Sequence, residues 1–191
     1  GIIVEAGRNI IIDFNNNTYI VTTTVGSSGT ETNRFQLKKG SQVVMKDGTI
    51  KTSAEISGIL IQKYNELTLE NMVLDLSDNA QIMYVISNNN GTTTITGNTQ
   101  IIAAAGKAAF DTYHWPDNGY GAVEVIFDAG FTGKVEGRIE YTTDGTDPEW
   151  QSETKLTFAD GNTGTYEVDF YVMDGEENAN VTVSDGTFKE R

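Results

Sequence analysis

The segment Phe35-Gln36-Leu37-Lys38-Lys39-Gly40-Ser41-Gln42-Val43-Val44-Met45 shows the pattern that decides the fold: an apolar triplet, a polar turn and a second apolar alternation. The pattern returns at a spacing of about 24 residues. Its first strands begin at Phe35-Gln36-Leu37, Ile59-Leu60-Ile61 and Met83-Tyr84-Val85, and its second strands are Val43-Val44-Met45, Leu67-Thr68-Leu69 and Thr93-Thr94-Ile95. The turns between them are Lys39-Gly40-Ser41, Lys63-Tyr64-Asn65-Glu66 and Ser87-Asn88-Asn89-Asn90-Gly91. A fixed period of this length indicates one structural unit per repeat.

Each repeat continues around a corner into a third short strand, and copies of the unit occur near both ends of the chain. The third strands lie in Asp47–Ile50, Asn71–Leu74 and Gly97–Ile101. We take seven apolar positions as equivalent: Ile12, Met45, Leu69, Ile95, Phe127, Phe158 and Val183. One coil cannot bury its inward side chains alone, so coils must stack on one another. We therefore predict an all-β, right-handed, single-stranded parallel β-helix of about seven coils, with residues 1–191 as one domain.

The main alternative fold is an antiparallel β-sandwich, which also has short strands separated by Gly- and Asn-rich turns. A sandwich gives no reason for equivalent triplets at a constant spacing, so the repeat favours the β-helix. Helix-forming stretches are scarce. We assign the one helix-tolerant run, Gln100–Phe110, to small residues in a coil corner.

The repeats resemble those of the pectin-lyase-like right-handed β-helix family, in the form found in surface proteins of gut bacteria and in structural proteins of their phages. The resemblance rests on Gly7–Asn15, Gly40–Ile50 and Leu67–Asp75 and extends over nearly the whole chain. It implies the β-helix architecture. It does not imply one activity, because the same coil pattern serves lyases, hydrolases, adhesins and phage fibres.

Composition excludes some partners. A net charge of −14 opposes binding to nucleic acid and to anionic membrane surfaces. The sequence has no apolar run long enough to insert into a bilayer and no cysteine for disulfides or thiolate metal sites. The strand-like start at Gly1–Val4 suggests a piece excised from a longer protein. We expect an extracellular setting, on a virion or on a bacterial cell surface.

Two insertions interrupt the repeat, around residues 111–121 and 142–153. The first concentrates aromatic and polar side chains, a combination suited to stacking on sugars or to anchoring a protein partner. The alternative is that these rings cover an exposed part of the core. The candidate binding residues are Asp111, Tyr113, His114, Trp115, Tyr120 and Trp150.

The acidic part of the second insertion contains weak candidates for a calcium site, Asp144, Asp147 and Glu149. Their spacing matches neither of the known calcium-binding repeats, so solvated turns are the simpler interpretation and no cofactor is expected. Asp13, Asp47, Asn71 and Asn98 lie near equivalent corners, where stacked turn hydrogen bonds are expected.

No set of residues predicts catalysis. A lyase needs clustered carboxylates with a basic residue, and a hydrolase needs two suitably placed acids. Asp111 and Asp117 flank the only histidine, His114, in what we expect to be an exposed loop. The sequence therefore favours a non-catalytic structural or adhesion module, such as a phage fibre or decoration protein or a bacterial surface protein. It would present loops to a glycan or protein and could assemble as a homotrimer. The alternative is a polysaccharide-degrading lyase or hydrolase.

Overall fold

The structure, a computed structural model, describes residues 1–112, 122–143, 154–175 and 181–190. Its strands form three parallel faces, A, B and C, which the chain visits in that order in every coil. Long strands bend at a corner and contribute to two faces. The repeat in the sequence therefore corresponds to one circuit of the solenoid.

Face A consists of β1 (Ile2–Val4), β5 (Thr30–Leu37), β7 (Gly58–Tyr64), the first part of β9 (Ile82–Thr96), β11 (Ala108–Thr112) and the second parts of β13 (Lys134–Thr143) and β15 (Thr165–Gly175). Face B consists of β2 (Asn9–Asp13), the first parts of β6 (Gln42–Thr52) and β8 (Glu66–Asp75), the second part of β9, β12 (Val123–Phe127), β14 (Thr154–Phe158) and β16 (Val181–Val183). Face C consists of β3 (Thr18–Val21), the second parts of β6 and β8, β10 (Gln100–Ile102), the first parts of β13 and β15, and β17 (Thr187–Glu190).

The parallel pairing confirms the β-helix and excludes the sandwich. The antiparallel pair in the described residues joins β5 to β4 (Val25–Ser27), a short hairpin strand before face A of the second coil. No helix occurs within the described ranges. None of those residues, accordingly, forms a helix long and apolar enough to cross a membrane.

Face B contains the predicted ladder. Ile12, Met45, Leu69, Ile95, Phe127, Phe158 and Val183 are successive register partners. The equivalent positions are therefore correct, but the prediction of seven like coils is too high. In the described residues about five turns have a neighbour on both sides, and the first and last ladder positions belong to terminal turns with one neighbour.

Face A departs from the predicted register. Phe35 pairs with Ile61 rather than Ile59, and Ile61 pairs with Ile86. The pairing of β5 with β7 is shifted uniformly, from Asn33 with Ile59 to Leu37 with Lys63. Between β7 and β9 the register shifts after Gly58, where Met83 of β9 is an extra residue without a partner in the pairing. A constant spacing between repeats takes no account of such an extra residue, and it therefore predicts the wrong register partners on face A.

The corner between faces B and C has the expected stacked hydrogen bonds. Asn71 Nδ2 donates to Asp47 Oδ1 at 3.0 Å, and the backbone N–H of Asn98 donates to Asn71 Oδ1 at 3.0 Å. Asp47 and Asn71 have positive φ values of 52° and 51°, and the φ of Gly97 is also positive, at 61°. A Cβ on Gly97 would lie 2.2 Å from Asn71 Oδ1, so the ladder requires glycine there. Asp13 pairs instead with Lys46, at 3.1 Å.

The apolar core is continuous through the stack and becomes aromatic toward the C-terminal coils. The Phe127 and Phe158 rings stack with centroids 5.1 Å apart, and Tyr166 stacks on Phe188 at 4.6 Å. The alanine-rich run contains the predicted corner, with Ala103 and Ala104 buried and Ala105 and Gly106 exposed, but its two ends form β10 and β11. This core makes the solenoid a rigid support for the side chains on face A.

Candidate binding face

Of the sequence-predicted binding residues, Asp111 is the one that the described ranges include. Tyr113, His114, Trp115, Tyr120 and Trp150 lie outside those ranges, as do the calcium candidates Asp144, Asp147 and Glu149. Among the residues that the structure describes, no group of three or more His, Cys, Asp or Glu side chains could hold a metal ion.

Asp111 does not lie in an exposed loop, contrary to the prediction. It belongs to β11, where the residue is 6% exposed. Its carboxylate accepts the backbone N–H of Asn88 at 2.6 Å and the Ser87 hydroxyl at 3.0 Å. Asn88 Nδ2 donates in return to the Asp111 carbonyl at 2.7 Å. The first insertion therefore begins after Thr112, and Asp111 is part of the support beneath it.

The two insertions are attached side by side. β11 ends at Thr112 and β13 ends at Thr143, and the register pairs Thr112 with Tyr141 on adjacent strands of face A. The chain then resumes on face B in β12 and β14, which are also neighbours. Both predicted loops thus start from the same corner of two successive coils. This places their attachment points about one strand spacing apart, roughly 5 Å.

A polar cluster that the sequence analysis missed lies on face A beside Asp111. Glu140 is the register partner of Asp111 on β13. The Tyr84 hydroxyl donates to Glu140 Oε2 at 2.8 Å, and Arg138 lies 3.5 Å from the other carboxylate oxygen. The Arg138 guanidinium also lies 5.2 Å from the centre of the Tyr171 ring. We call Tyr84, Asp111, Arg138 and Glu140 the carboxylate cluster.

Burial controls the proton affinity of this cluster. Burial raises the pKa of Asp111 to about 7. The neighbouring charge of Glu140 raises this pKa further, whereas the hydrogen bonds from Asn88 and Ser87 lower it. Burial and the hydrogen bond to Glu140 also raise the pKa of Tyr84. Near neutral pH Asp111 can therefore hold a proton, so the cluster offers both hydrogen-bond donors and acceptors.

Lys63, which the sequence analysis placed in a polar turn, is a buried strand residue. It belongs to β7, is 0% exposed, and donates from Nζ to the carbonyls of Asn65 at 2.8 Å and Gly91 at 3.0 Å. Burial lowers its pKa to about 7, against the opposing charges of Glu66 and Asp111. Its register partner Asn88 is also buried, and Asn88 Oδ1 accepts the Thr93 hydroxyl at 2.6 Å. Polar groups thus line the corner between faces A and B from inside.

Of the missed residues, Glu140 belongs to a row on face A that the sequence could have revealed. One row across face A pairs Gln36, Gln62, Ser87, Asp111 and Glu140 in successive strands. Every member is polar, whereas the neighbouring row Phe35, Ile61, Ile86, Phe110 and Ile139 is apolar and buried. Aligning the strands with the bulge allowed for would have shown a continuous polar row.

Comparison with known proteins adds no relative. No protein-family model matches the chain, and searches of the curated proteins and of the solved structures return no match.

Proposed function

We propose that the protein is a non-catalytic module of an extracellular assembly that binds a glycan or a protein through face A and the two insertions attached to it. The observation that supports this most is the attachment of both insertions to adjacent strands, next to the carboxylate cluster. Loops supported by a rigid scaffold are where binding residues are usually found.

The chemistry of the region fits a glycan. Tyr113, Trp115, Tyr120 and Trp150 supply flat apolar surfaces in the insertions, while the row on face A supplies amide, hydroxyl and carboxyl groups. Sugars present apolar ring faces together with hydroxyls that both donate and accept, so they use both kinds of group. His114 belongs to the same proposed surface by sequence proximity, and Asp111 supports that surface from beneath.

The setting that we propose is a phage fibre or decoration protein, or a bacterial surface protein. The support is the acidic composition, with a net charge of −14, the lack of cysteine and the repetitive solenoid. Self-association, for example as a homotrimer, belongs to the same proposal. Sedimentation equilibrium at high protein concentration tests it, and a monomer throughout would rule it out.

A glycan array probed with the labelled chain tests the binding function. Trp115→Ala and Trp150→Ala should each weaken any detected binding about tenfold, because aromatic anchors contribute most to such interfaces. Tyr19→Ala is a matched control, since Tyr19 is an exposed aromatic residue on face C. Unchanged binding by both tryptophan variants would remove the insertions from the proposal.

A polysaccharide-degrading hydrolase is the second candidate, and one observation favours it. Asp111 and Glu140 are paired carboxyl groups on adjacent strands, and Asp111 retains a proton to an unusually high pH. Glycoside hydrolysis uses two carboxyl groups, one of which protonates the leaving oxygen. A reducing-end assay on the glycans that bind separates the two functions. Product that disappears in Glu140→Gln would establish the enzyme, whereas binding without product supports the module.

A further inference from the structure

A second polar region lies on face A, several strands away from the insertions. Two adjoining cavities of about 400 and 230 Å³ share Ser27, Gln36 and Tyr64 in their linings. They run between the hairpin strand β4 and strands β5 and β7. We call this region the hairpin groove. Its larger part falls within the range of small-molecule sites, roughly 300–1,000 Å³.

Three carboxamide side chains are held together in this groove. Gln62 Oε1 accepts from Asn33 Nδ2 at 2.8 Å and from Gln36 Nε2 at 3.1 Å. Because that oxygen is occupied by both neighbours, the Gln62 amide is oriented with its own Nε2 available as a donor. The oxygen of Gln36 remains as an acceptor. Fixed amide donors and acceptors side by side match vicinal hydroxyls, each of which can donate and accept.

Asn33 carries an unmatched acceptor. The residue is 4% exposed and contributes to the lining of the smaller cavity. Within the part of the chain that the structure describes, its Oδ1 accepts no hydrogen bond. A buried acceptor without a donor costs free energy, and a hydroxyl donor entering beside it would recover that cost.

The groove differs in charge from the rest of the protein. The residues that line its two cavities include hydroxyl and amide side chains and no carboxylate, in a chain with 27 acidic residues. Two lysines, Lys38 and Lys39, line the larger cavity, where Lys38 is paired with Glu5 at 2.9 Å. The smaller cavity is lined by uncharged residues alone, so a neutral ligand with several hydroxyls is better matched there than a charged one.

We propose that the hairpin groove is a sugar-binding subsite that holds one or two rings of a neutral oligosaccharide through Asn33, Gln36 and Gln62, with Tyr64 beside them. The ligand class of this subsite rests on the proposed glycan-binding function, whereas the choice of residues rests on the groove itself. The polar row connects the groove to the carboxylate cluster over three strand spacings, from Gln62 to Glu140, or roughly 15 Å.

Titration with neutral tetrasaccharides, followed in ¹H–¹⁵N spectra, tests the subsite directly. Cellotetraose, maltotetraose and mannotetraose serve as probes, and the side-chain NH₂ signals of Asn33, Gln36 and Gln62 report contact. At least one sugar should shift these signals, and its affinity should not depend on salt concentration, because the smaller cavity that holds the three amides has no charged side chain in its lining.

Two variants at Gln62 and one control complete the test. Gln62→Ala removes the central amide and should weaken binding about 3- to 10-fold, as expected for one lost hydrogen bond. Gln62→Glu retains the shape but replaces the donor, so it should weaken binding similarly even if the alanine variant folds poorly. Gln42→Ala is the matched control, because Gln42 is an exposed strand residue on face B, and it should leave affinity unchanged.

Two results would overturn the subsite. A sugar that binds while its shifts are confined to the insertions and the carboxylate cluster removes the groove and leaves the proposed function standing. Failure of every tetrasaccharide to shift the three amide signals also contradicts the subsite. Binding by the insertions is tested separately, on the glycan array with the tryptophan variants. Affinity that falls steeply with added salt contradicts a neutral ligand.

Discussion

Faces A and B of the solenoid are built from the same number of stacked strands but differ in what they bury. Face B aligns apolar side chains in one ladder, from Met45 to Phe158, each of them fully buried. Face A buries the side chains of Lys63, Asn88 and Asp111 beside its apolar row. The same coil geometry therefore supports a conventional core on one face and a costly polar interior on the other.

This difference indicates where stability and function reside. Burying an ionisable group costs free energy even when its hydrogen bonds are satisfied. Sequences usually keep such departures from a consistent pattern where function requires them. Mutations on face B should thus lower the stability of the protein through loss of packing. Mutations on face A should change how that stability depends on pH, because the buried groups there bind protons.

The largest expected effect is on face B. Phe127→Ala removes a fully buried ring that stacks on Phe158 and contacts Phe131 and Tyr166. We expect a loss of about 3–5 kcal/mol in the free energy of unfolding, measured by urea denaturation. Ile11→Ala is the control, because Ile11 is also an apolar strand residue on face B but is 70% exposed. It should change stability by less than about 0.5 kcal/mol.

The same contrast explains how much could be predicted from the sequence. The ladder of face B follows from regular alternation, so its register was predictable from Ile12 to Val183. The extra residue at Met83 of β9 was not predictable from this alternation. The continuation of β7 through Lys63 was not either, because a lysine before Tyr64-Asn65 has the composition of a polar turn. Asp111 was identified as a candidate residue, but its burial depends on tertiary neighbours that a local pattern does not contain.

Lys63 should make stability depend on pH above neutrality. Its pKa is about 7 in the folded protein and near 10.5 when unfolded. Between those values the unfolded chain binds a proton that the folded chain lacks, so stability rises with pH from about 7 to 10.5 and is lost as pH falls. Between pH 7.5 and 10 the expected gain is on the order of 3 kcal/mol, measured by urea denaturation at a series of pH values.

Lys63→Met tests the assignment of this rise. The variant leaves the carbonyls of Asn65 and Gly91 without their donor, so its absolute stability is not the readout. The readout is the slope, which should become nearly flat between pH 7 and 10. Lys155→Met, at an exposed position on β14, should keep the wild-type slope. An unchanged slope in the Lys63 variant would mean that the buried amine is not responsible.

Asp111 should have the smallest effect of the three, with the opposite dependence on pH. Its folded pKa of about 7 exceeds its ordinary value of 3.8, so the folded protein binds a proton that the unfolded chain lacks between those values. Its contribution to stability is present below pH 4 and is lost as pH rises to about 7, and the loss between pH 5 and 6.5 is on the order of 2 kcal/mol. Asp111→Asn imitates the protonated acid, because its oxygen can accept from Asn88 N–H while its amide donates to Ser87. The variant should thus lose less stability than the wild type between pH 4 and 7.

Glu70→Gln, an exposed substitution on β8, should retain the wild-type profile. A profile for Asp111→Asn that parallels the wild type would show that Asp111 is ionised throughout, and the contrast between the two faces would then rest on Lys63 alone.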